Sequence, residues 1–367
     1  MAIEKKKKNN LDEPPLTCVD LFAGAGGFSL AASNVGFHVV AAVELNSNAC
    51  KTYRENLNTA NDTTLYEGDI LQLDPVEIAK THFPDSKGCD VVLGGPPCQG
   101  FSVHRIKGAG IGDPRNKLIL RYFQFVQELK PKVFLMENVP GILWERHKDF
   151  LDEFYLAGKA AGYVIKDPVV IDARDFGVPQ RRKRVFILGV RSDVELDIVW
   201  PPKATYSGDK AAKTGSLKPW INAKTVFKKS VKKNDKNNFH MQHTVAMIEV
   251  FKSTPHNGGS RSQSNRVLPC HKDHDGHKDV YGRIDPSQPA PTMTTACINP
   301  SKGRFLHPSQ NHGISVRHAA RFQTFPDWFV FQGGLISAGE QIGNAVPIKL
   351  GAVLLRRIAK GLRRKES

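Results

Sequence analysis

The chain divides into stretches by the way its apolar positions repeat. Short apolar runs bounded by Gly, Pro or polar residues read as buried strands. Longer stretches with apolar residues three and four apart read as helices. The strand pattern occurs at residues 17–22, 37–43, a short run reaching Asp69-Ile70, 89–93, 131–136, 163–171 and 185–190. The helical pattern occurs at 28–35, in a stretch ending near Leu57, and at 117–128, 150–161 and 350–362. In the 117–128 helix, Leu118, Leu120, Phe123, Phe125 and Val126 read as the core face. Strands alternating with helices over the first 200 residues predict an α/β fold, a doubly wound and mostly parallel sheet.

Three stretches break the pattern. Residues 1–15 are polar and Lys-rich and end in Pro14-Pro15, which predicts a disordered lead. Residues 103–117 show neither period, carry Gly108, Gly110 and Gly112, and read as a long loop of the kind that serves as a lid. At Trp200-Pro201-Pro202 the composition shifts, and 203–280 is rich in Lys, Ser, Asn, His and Gly, with Leu217 to Ile221 as a small apolar anchor. The expected organisation is a large domain of 16–200 plus 328–367, with a smaller, irregular domain of 201–327 lying across a cleft.

Charge narrows the partners. Lys and Arg number 52 against 36 Asp and Glu, a net charge of +16. Basic runs at Lys5–Lys8 and at Arg356, Arg357, Lys360, Arg363, Arg364 and Lys365 supply ten of these charges; setting them aside leaves +6. A basic body expects a polyanionic partner. The six cysteines, Cys18, Cys50, Cys89, Cys98, Cys270 and Cys297, have no regular spacing. No signal-peptide pattern opens the chain, so a reduced cytoplasmic protein is expected, not a disulfide scaffold. No apolar run reaches the ~18 residues that a membrane span needs, so no membrane partner is expected.

The candidate chemistry gathers at strand ends. Ala23 to Gly27 form a Gly-rich turn between a strand and a helix, where a ligand can approach the backbone. An ordinary βα turn looks the same. No Gly-Lys-Ser/Thr follows, so it is not a phosphate-binding P-loop. Glu44 ends the next strand about 20 residues on, a position suited to ribose hydroxyls; a solvated Glu is the alternative. Asp69 ends another strand, placed to accept from an adenine amino group. Gly94 to Ser102, G-G-P-P-C-Q-G-F-S, follows the 89–93 strand. Its two prolines stiffen the exit and argue against a merely buried Cys98. Glu137-Asn138-Val139 follows the 131–136 strand, at a level similar to Cys98. Gln180, Arg182 and Arg184 enter the 185–190 strand at alternate positions and are expected on one face.

The G-G-P-P-C-Q-G-F-S stretch resembles the nucleophile motif of DNA cytosine-5 methyltransferases. Further motifs of that family follow in the expected order over nearly the whole chain: D-L-F-A-G-A-G-G-F from Asp20, E-N-V from Glu137, Q-R-R-K-R from Gln180 and G-N-A-V-P from Gly343. The form is that of a bacterial restriction–modification enzyme, a single chain with one recognition region. The resemblance implies S-adenosylmethionine as methyl donor and no metal. Phe22 would pack on its adenine, Glu44 would hold the ribose, and Asp69 and Ile70 would contact the base. Gly24 and Gly26 would lie near the methionine part, and Asn344 would contact the methionine end. Cys98 is then the nucleophile, Glu137 contacts ring nitrogen 3 of cytosine, and Arg182 and Arg184 line the pocket. The family's closing loop corresponds to the 103–117 stretch, with Ser102 and Arg115 matching its pattern; His104 receives no role.

The same resemblance makes 203–280 the reader of the DNA major groove. Arg261, Gln263, Asn265, Arg266 and Lys272 are unranked candidates for base or phosphate contacts. Cys270, His271, His274 and His277 match no standard zinc spacing and read as polar, DNA-facing side chains. Residues 315–327 read as a structural helix with Phe325 and Pro326 packing. The implied partner is double-stranded DNA, with a monomeric enzyme in the cytoplasm and a restriction endonuclease as functional counterpart. Two readings compete: a tRNA methyltransferase of the same fold, from which P-C-Q-G-F-S departs, and a DNA-binding protein that has lost catalysis, against which Cys98, Glu137, Arg182 and Arg184 stand.

Overall fold

The computed structural model describes residues 14–58, 62–85, 88–97, 116–208, 215–265 and 279–363. Its centre is an eight-stranded sheet of β1 (Thr17–Leu21), β2 (His38–Glu44), β3 (Thr64–Glu67), β4 (Val91–Gly94), β5 (Val133–Asn138), β6 (Tyr163–Ile165), β7 (Val169–Asp172) and β8 (Lys183–Arg191). The spatial order is β3-β2-β1-β4-β5-β8-β6, and β7 also pairs with β8. The pairs β1–β2, β2–β3, β1–β4 and β4–β5 are parallel; β8 runs antiparallel to β5, β6 and β7. The strand order reverses between β1 and β4. In open α/β sheets that reversal opens a crevice at the carboxyl ends of the strands, where ligands bind.

Helices cover both faces, as buried parallel strands require. On one face α1 (Gly27–Ser33) packs with the last helix, α10 (Ile348–Arg363), and with apolar residues from 284–331. On the other lie α3 (Pro75–His82), α4 (Asn116–Leu129) and α5 (Lys148–Ala160), whose Phe123 and Phe154 meet Phe134 of β5 edge-on. Helix starts follow local chemistry. Asn46 caps α2 (Ser47–Tyr53) by accepting from the N–H groups of Asn48 and Ala49. Asp74 caps α3, with Pro75 in the first turn where no donor is missed. Among the described residues, no helix is long and apolar enough to cross a membrane.

Some boundaries differ from the sequence pattern. The expected 163–171 strand is two strands separated around Pro168, which has no N–H to continue a ladder. Glu137 and Asn138 lie within β5, whereas Asp69 and Ile70 lie in the turn after β3. The core face of α4 is Ile119, Tyr122, Phe123, Phe125, Val126 and Leu129, while Leu118 and Leu120 are only half-buried. Asn344 is the last residue of a helix, α9 (Gly334–Asn344), that the pattern did not predict, because its Gly334, Gly339 and Gly343 weaken the helical signal.

The described residues of 201–327 contain little regular structure. They hold two two-residue strands, β9 (Tyr206–Ser207) and β10 (Lys218–Pro219), and the short helices α6 (Lys224–Lys228), α7 (Val245–Ser253) and α8 (Val316–Phe322). Where no ladder reaches, guanidinium groups satisfy the backbone. Arg283 donates to the carbonyls of Thr254 and His307 at 2.9 Å each. Arg321 reaches Ser230 O at 3.0 Å and pairs with Asp327. Arg317, fully buried, holds Asp235 through two bonds of 2.7 and 3.0 Å. Five fixed N–H donors suit arginine to this task.

Candidate active site

The Gly-rich turn leaves β1 through strained backbone. Phe22 takes φ 59°, rare for a residue with a side chain, and Gly24 and Gly26 follow at φ 56° and 89°. At φ 89° a side chain on Gly26 would be strained, and its Cβ would also crowd the Leu57 and Tyr53 side chains. A Cβ on Gly24 would meet nothing within 4 Å, so the backbone there faces open space. Glu44, at the end of β2, accepts from Gly24 N at 2.8 Å and from Asn46 N at 2.7 Å. Burial pushes its carboxyl above the usual range, and these backbone donors partly offset that shift. Asp69 and Ile70 stand in the turn after β3, beside Glu44, whose carbonyl accepts from Gly68 N.

The crevice continues across β4 and β5. Glu137 is buried at the end of β5, and its Oε1 lies 2.9 Å from Arg184 Nε. The N–H is not aligned along that line, so Oε1 has charge pairing but no hydrogen bond among the described residues. The antiparallel register causes the meeting: Asn138 pairs with Val185 and Glu137 with Phe186, which brings the start of β8 to the carboxyl end of β5. Glu137 Oε2 sits over Gly95, where a Cβ would stand 3.3 Å away. Asn138 Nδ2 reaches Pro96 O at 3.4 Å, and its Oδ1 accepts from Val139 N at 2.7 Å. The carboxylate is thus fastened beside the Gly95-Pro96-Pro97 segment that leads into Cys98. Cys98 itself, with Ser102 and Arg115, lies outside the described residues.

The comparison with known proteins decides what this rim belongs to. The family model for C-5 cytosine-specific DNA methylases matches residues 16–360. The chain is a C-5 cytosine-specific DNA methylase. It is 33% identical to the Type II methyltransferase M1.HphI of Haemophilus parahaemolyticus, over 94% of this chain and 87% of that protein. It is 31% identical to the Type II methyltransferase M.DdeI of Desulfomicrobium norvegicum, over 94% and 88%. Among solved structures, one described as a prophage-encoded DNA modification methyltransferase (E. coli) superposes with a TM-score of 0.71 at 26% identity, covering 95% of this chain and 100% of that one. The methyltransferase EhMeth of Entamoeba histolytica, at 15% identity and a TM-score of 0.65, shares the fold. This chain is therefore an enzyme, a DNA (cytosine-5-)-methyltransferase of the type II restriction–modification kind.

In this methyltransferase Gln180, Arg182 and Arg184 share the inward face, with Arg181 and Lys183 exposed, but the three do different work. The ladder of β8 starts only at Lys183, but the alternation already runs through Gln180 and Arg182, both buried. Gln180 donates to Phe322 O and Gln323 Oε1 at 2.8 and 2.7 Å and accepts from Met293 N at 2.9 Å. Arg182, fully buried, donates to Met293 O at 3.0 Å, Gly343 O at 2.8 Å and Ala345 O at 3.0 Å. Burial and the neighbouring Arg184 push its proton affinity down, and Glu137 pulls it back up. Arg182 therefore fastens the start of β8 to the segments after Thr292 and Gln341, and only Arg184 faces Glu137 directly. Asn344 is exposed at the end of α9, one residue from this knot.

Sequence reasoning passed over a buried network under the Gly-rich turn. Asp20 Oδ2 accepts from Ser29 N at 3.0 Å and Ser29 Oγ at 2.6 Å, and Tyr53 donates to the same Oγ at 2.9 Å. Burial raises the Asp20 carboxyl to about 7. A charged residue inside the apolar run Cys18-Val19-Asp20-Leu21 was the available signal. Within residues 203–280, Gln263 caps its own turn through Ser260 N, and Asn265 accepts from Ser253 Oγ at 2.8 Å. Arg266, Lys272, Cys270, His271, His274 and His277 lie outside the described residues. Among the described residues, no group of three or more His, Cys, Asp or Glu side chains is placed to hold a metal.

Proposed function

We propose that this enzyme methylates carbon 5 of a cytosine flipped out of a short double-stranded DNA sequence. The reaction runs through a covalent bond between Cys98 and carbon 6, with S-adenosylmethionine as donor. The observation that carries the reading is the Glu137 carboxylate, buried, paired with Arg184 and set over Gly95 at the root of the Cys98 segment. Carbon 5 of cytosine is a poor nucleophile. Addition of the Cys98 thiolate to carbon 6 makes the ring enamine-like, and Glu137, protonating or hydrogen-bonding ring nitrogen 3, spares it a full negative charge. Arg184 orients that carboxyl and binds the ring oxygen. Loss of the carbon 5 proton then expels the thiolate. Taking the base out of the stack costs a few kcal/mol, offset by these pocket contacts.

The residues of the β1, β2 and β3 ends fit the cofactor. The open space at Gly24, the two-point anchoring of Glu44 and the position of Asp69-Ile70 match a ligand with a ribose and an adenine. When bound, S-adenosylmethionine supplies an electrophilic methyl group. Glu44 would hold the ribose, Phe22 would pack on the base, Asp69 and Ile70 would read its edge, and Gly24, Gly26 and Asn344 would flank the methionine end. Arg182 holds the rim together from behind the pocket.

We assign 16–200 plus 328–367 to the large catalytic domain and 201–327 to target recognition, which supports one DNA duplex in the cleft between them. The enzyme would act as a monomer, as the modification partner of a restriction endonuclease. The deciding experiment offers labelled S-adenosylmethionine with unmethylated plasmid DNA and, in parallel, tRNA, followed by single-base mapping of 5-methylcytosine. Label at one short repeated DNA sequence is the expected result. Label in tRNA alone, or DNA binding without any label, would overturn it. Cys98→Ala should abolish transfer and keep DNA binding.

A further inference from the structure

The turn after β3 is held from behind by a residue on α4. Arg121 Nε donates to Ile70 O at 3.0 Å, and its Nη2 donates to Leu73 O at 2.5 Å. The remaining Nη1 donates to Gln124 Oε1 at 2.5 Å, one turn along the same helix. The guanidinium also stands 5.3 Å from the Phe125 ring centroid, which limits its swing. One planar fork thus spans two carbonyls of a single turn, a task that suits arginine and not lysine. A shallow groove beside it is lined by Gln72, Leu73, Asp74 and Arg121 but includes neither Asp69 nor Ile70.

The geometry points to Arg121 as the residue that positions Asp69 to select adenine in the methyl donor. This inference rests on the proposed reading of Asp69-Ile70 as the adenine contact. In a trans peptide the carbonyl and the following N–H point in opposite directions. Arg121 draws Ile70 O towards α4, so the Leu71 N–H of the same peptide must point away from α4. It donates to Asp69 Oδ1 at 3.0 Å. A charged donor on the carbonyl polarises the peptide and strengthens that N–H as a donor. Asp69 Oδ1 is thereby fixed in direction, and Oδ2 is left to accept from the adenine amino group. The turn itself is closed by Gln72 N donating to Asp69 O at 2.9 Å, so its overall shape does not depend on Arg121 alone. What Arg121 adds is the tilt of one peptide and, through it, the aim of one carboxylate.

The test compares binding of S-adenosylhomocysteine and S-inosylhomocysteine to the full chain by calorimetry; the second ligand carries a carbonyl in place of the adenine amino group. Wild type should prefer the adenosyl ligand by about tenfold or more, the worth of one good hydrogen bond. Arg121→Gln should weaken the adenosyl ligand by roughly tenfold and change the inosyl ligand less than about twofold, so that discrimination collapses. In turnover, KM for S-adenosylmethionine should rise while kcat at saturating cofactor holds within about twofold. Arg121→Lys, which covers one carbonyl and not both, should fall between; it also carries the test if the Gln variant does not fold. Equal weakening of both ligands, or retention of full discrimination by either variant, would overturn the inference. Asp69→Ala separates the two layers: if it keeps wild-type discrimination, the adenine reading itself fails. If it loses discrimination while Arg121→Gln keeps it, only the role of Arg121 fails.

Discussion

The sheet rim and residues 201–327 hold their chains by different means. At the rim, ladder hydrogen bonds fix the backbone, and side chains such as Glu44, Glu137 and Arg184 are displayed from strand ends. Among the described residues of 201–327 one ladder of two residue pairs and a few isolated bridges are all the sheet pairing there is, and buried arginines hold the loops through backbone carbonyls. The first scheme places a few polar groups with precision and leaves them available for chemistry. The second spends its polar groups on its own backbone. Losing a rim side chain should therefore cost function with little stability, and losing an arginine clamp should do the reverse.

The largest effect expected is on turnover. Glu137→Gln should lower kcat by about 10²–10⁴, the usual contribution of a positioned acid–base group. The folding midpoint in urea should fall less than for Arg317→Ala, because Arg184 keeps some access to water where Arg317 has almost none, and an equal or larger fall would erase the contrast between the regions. Next in size is Arg317→Ala, which leaves Asp235 buried without its partner and should cost roughly 3–5 kcal/mol in a urea melt. The exposed Lys252–Glu249 pair is the control, and Lys252→Ala should cost less than about 1 kcal/mol.

Protons should separate the regions as well. Burial pushes His307 down to about 4 and His318 to about 3, in a group where His240 and His312 stack with centroids 3.8 Å apart. A depressed pKa means that the folded state refuses protons the unfolded chain accepts. The stability from these histidines is full above about pH 6.5 and is lost as pH falls towards 4 and below. Asp20 has the opposite sign. Raised to about 7, it contributes fully below about pH 4, and its contribution is lost as pH rises to 7. Thermal melts from pH 4 to 8 should show Asp20→Asn flattening the fall with rising pH, and His318→Asn flattening the fall with acid. If both variants changed the same limb, the assignment would be wrong.

The same contrast explains what could be read from the sequence. Rim positions were legible because a strand followed by Gly, Pro or a carboxylate has a period and a stop. Glu44, Glu137 and the root of the Cys98 segment stand where that pattern put them. The shared face of Gln180, Arg182 and Arg184 was legible from period two, but the work of the first two was not, because their partners at Met293, Phe322, Gly343 and Ala345 lie far along the chain. Nor was Arg121, whose partners at Ile70 and Leu73 lie about 50 residues upstream, with no local pattern to connect them. The arginine clamps of 201–327 were not legible for the same reason: their acceptors are distant carbonyls.

The most direct test of the site is a trapping experiment. DNA carrying 5-fluorocytosine in place of cytosine has no carbon 5 proton to lose, so the adduct cannot resolve. Incubated with S-adenosylmethionine, the wild-type enzyme should form a complex that survives denaturation, with the DNA attached to the peptide containing Cys98. The Cys98→Ala variant should form none, and Glu137→Gln should form it far more slowly. A trapped complex in Cys98→Ala, or attachment at any other residue, would contradict the account.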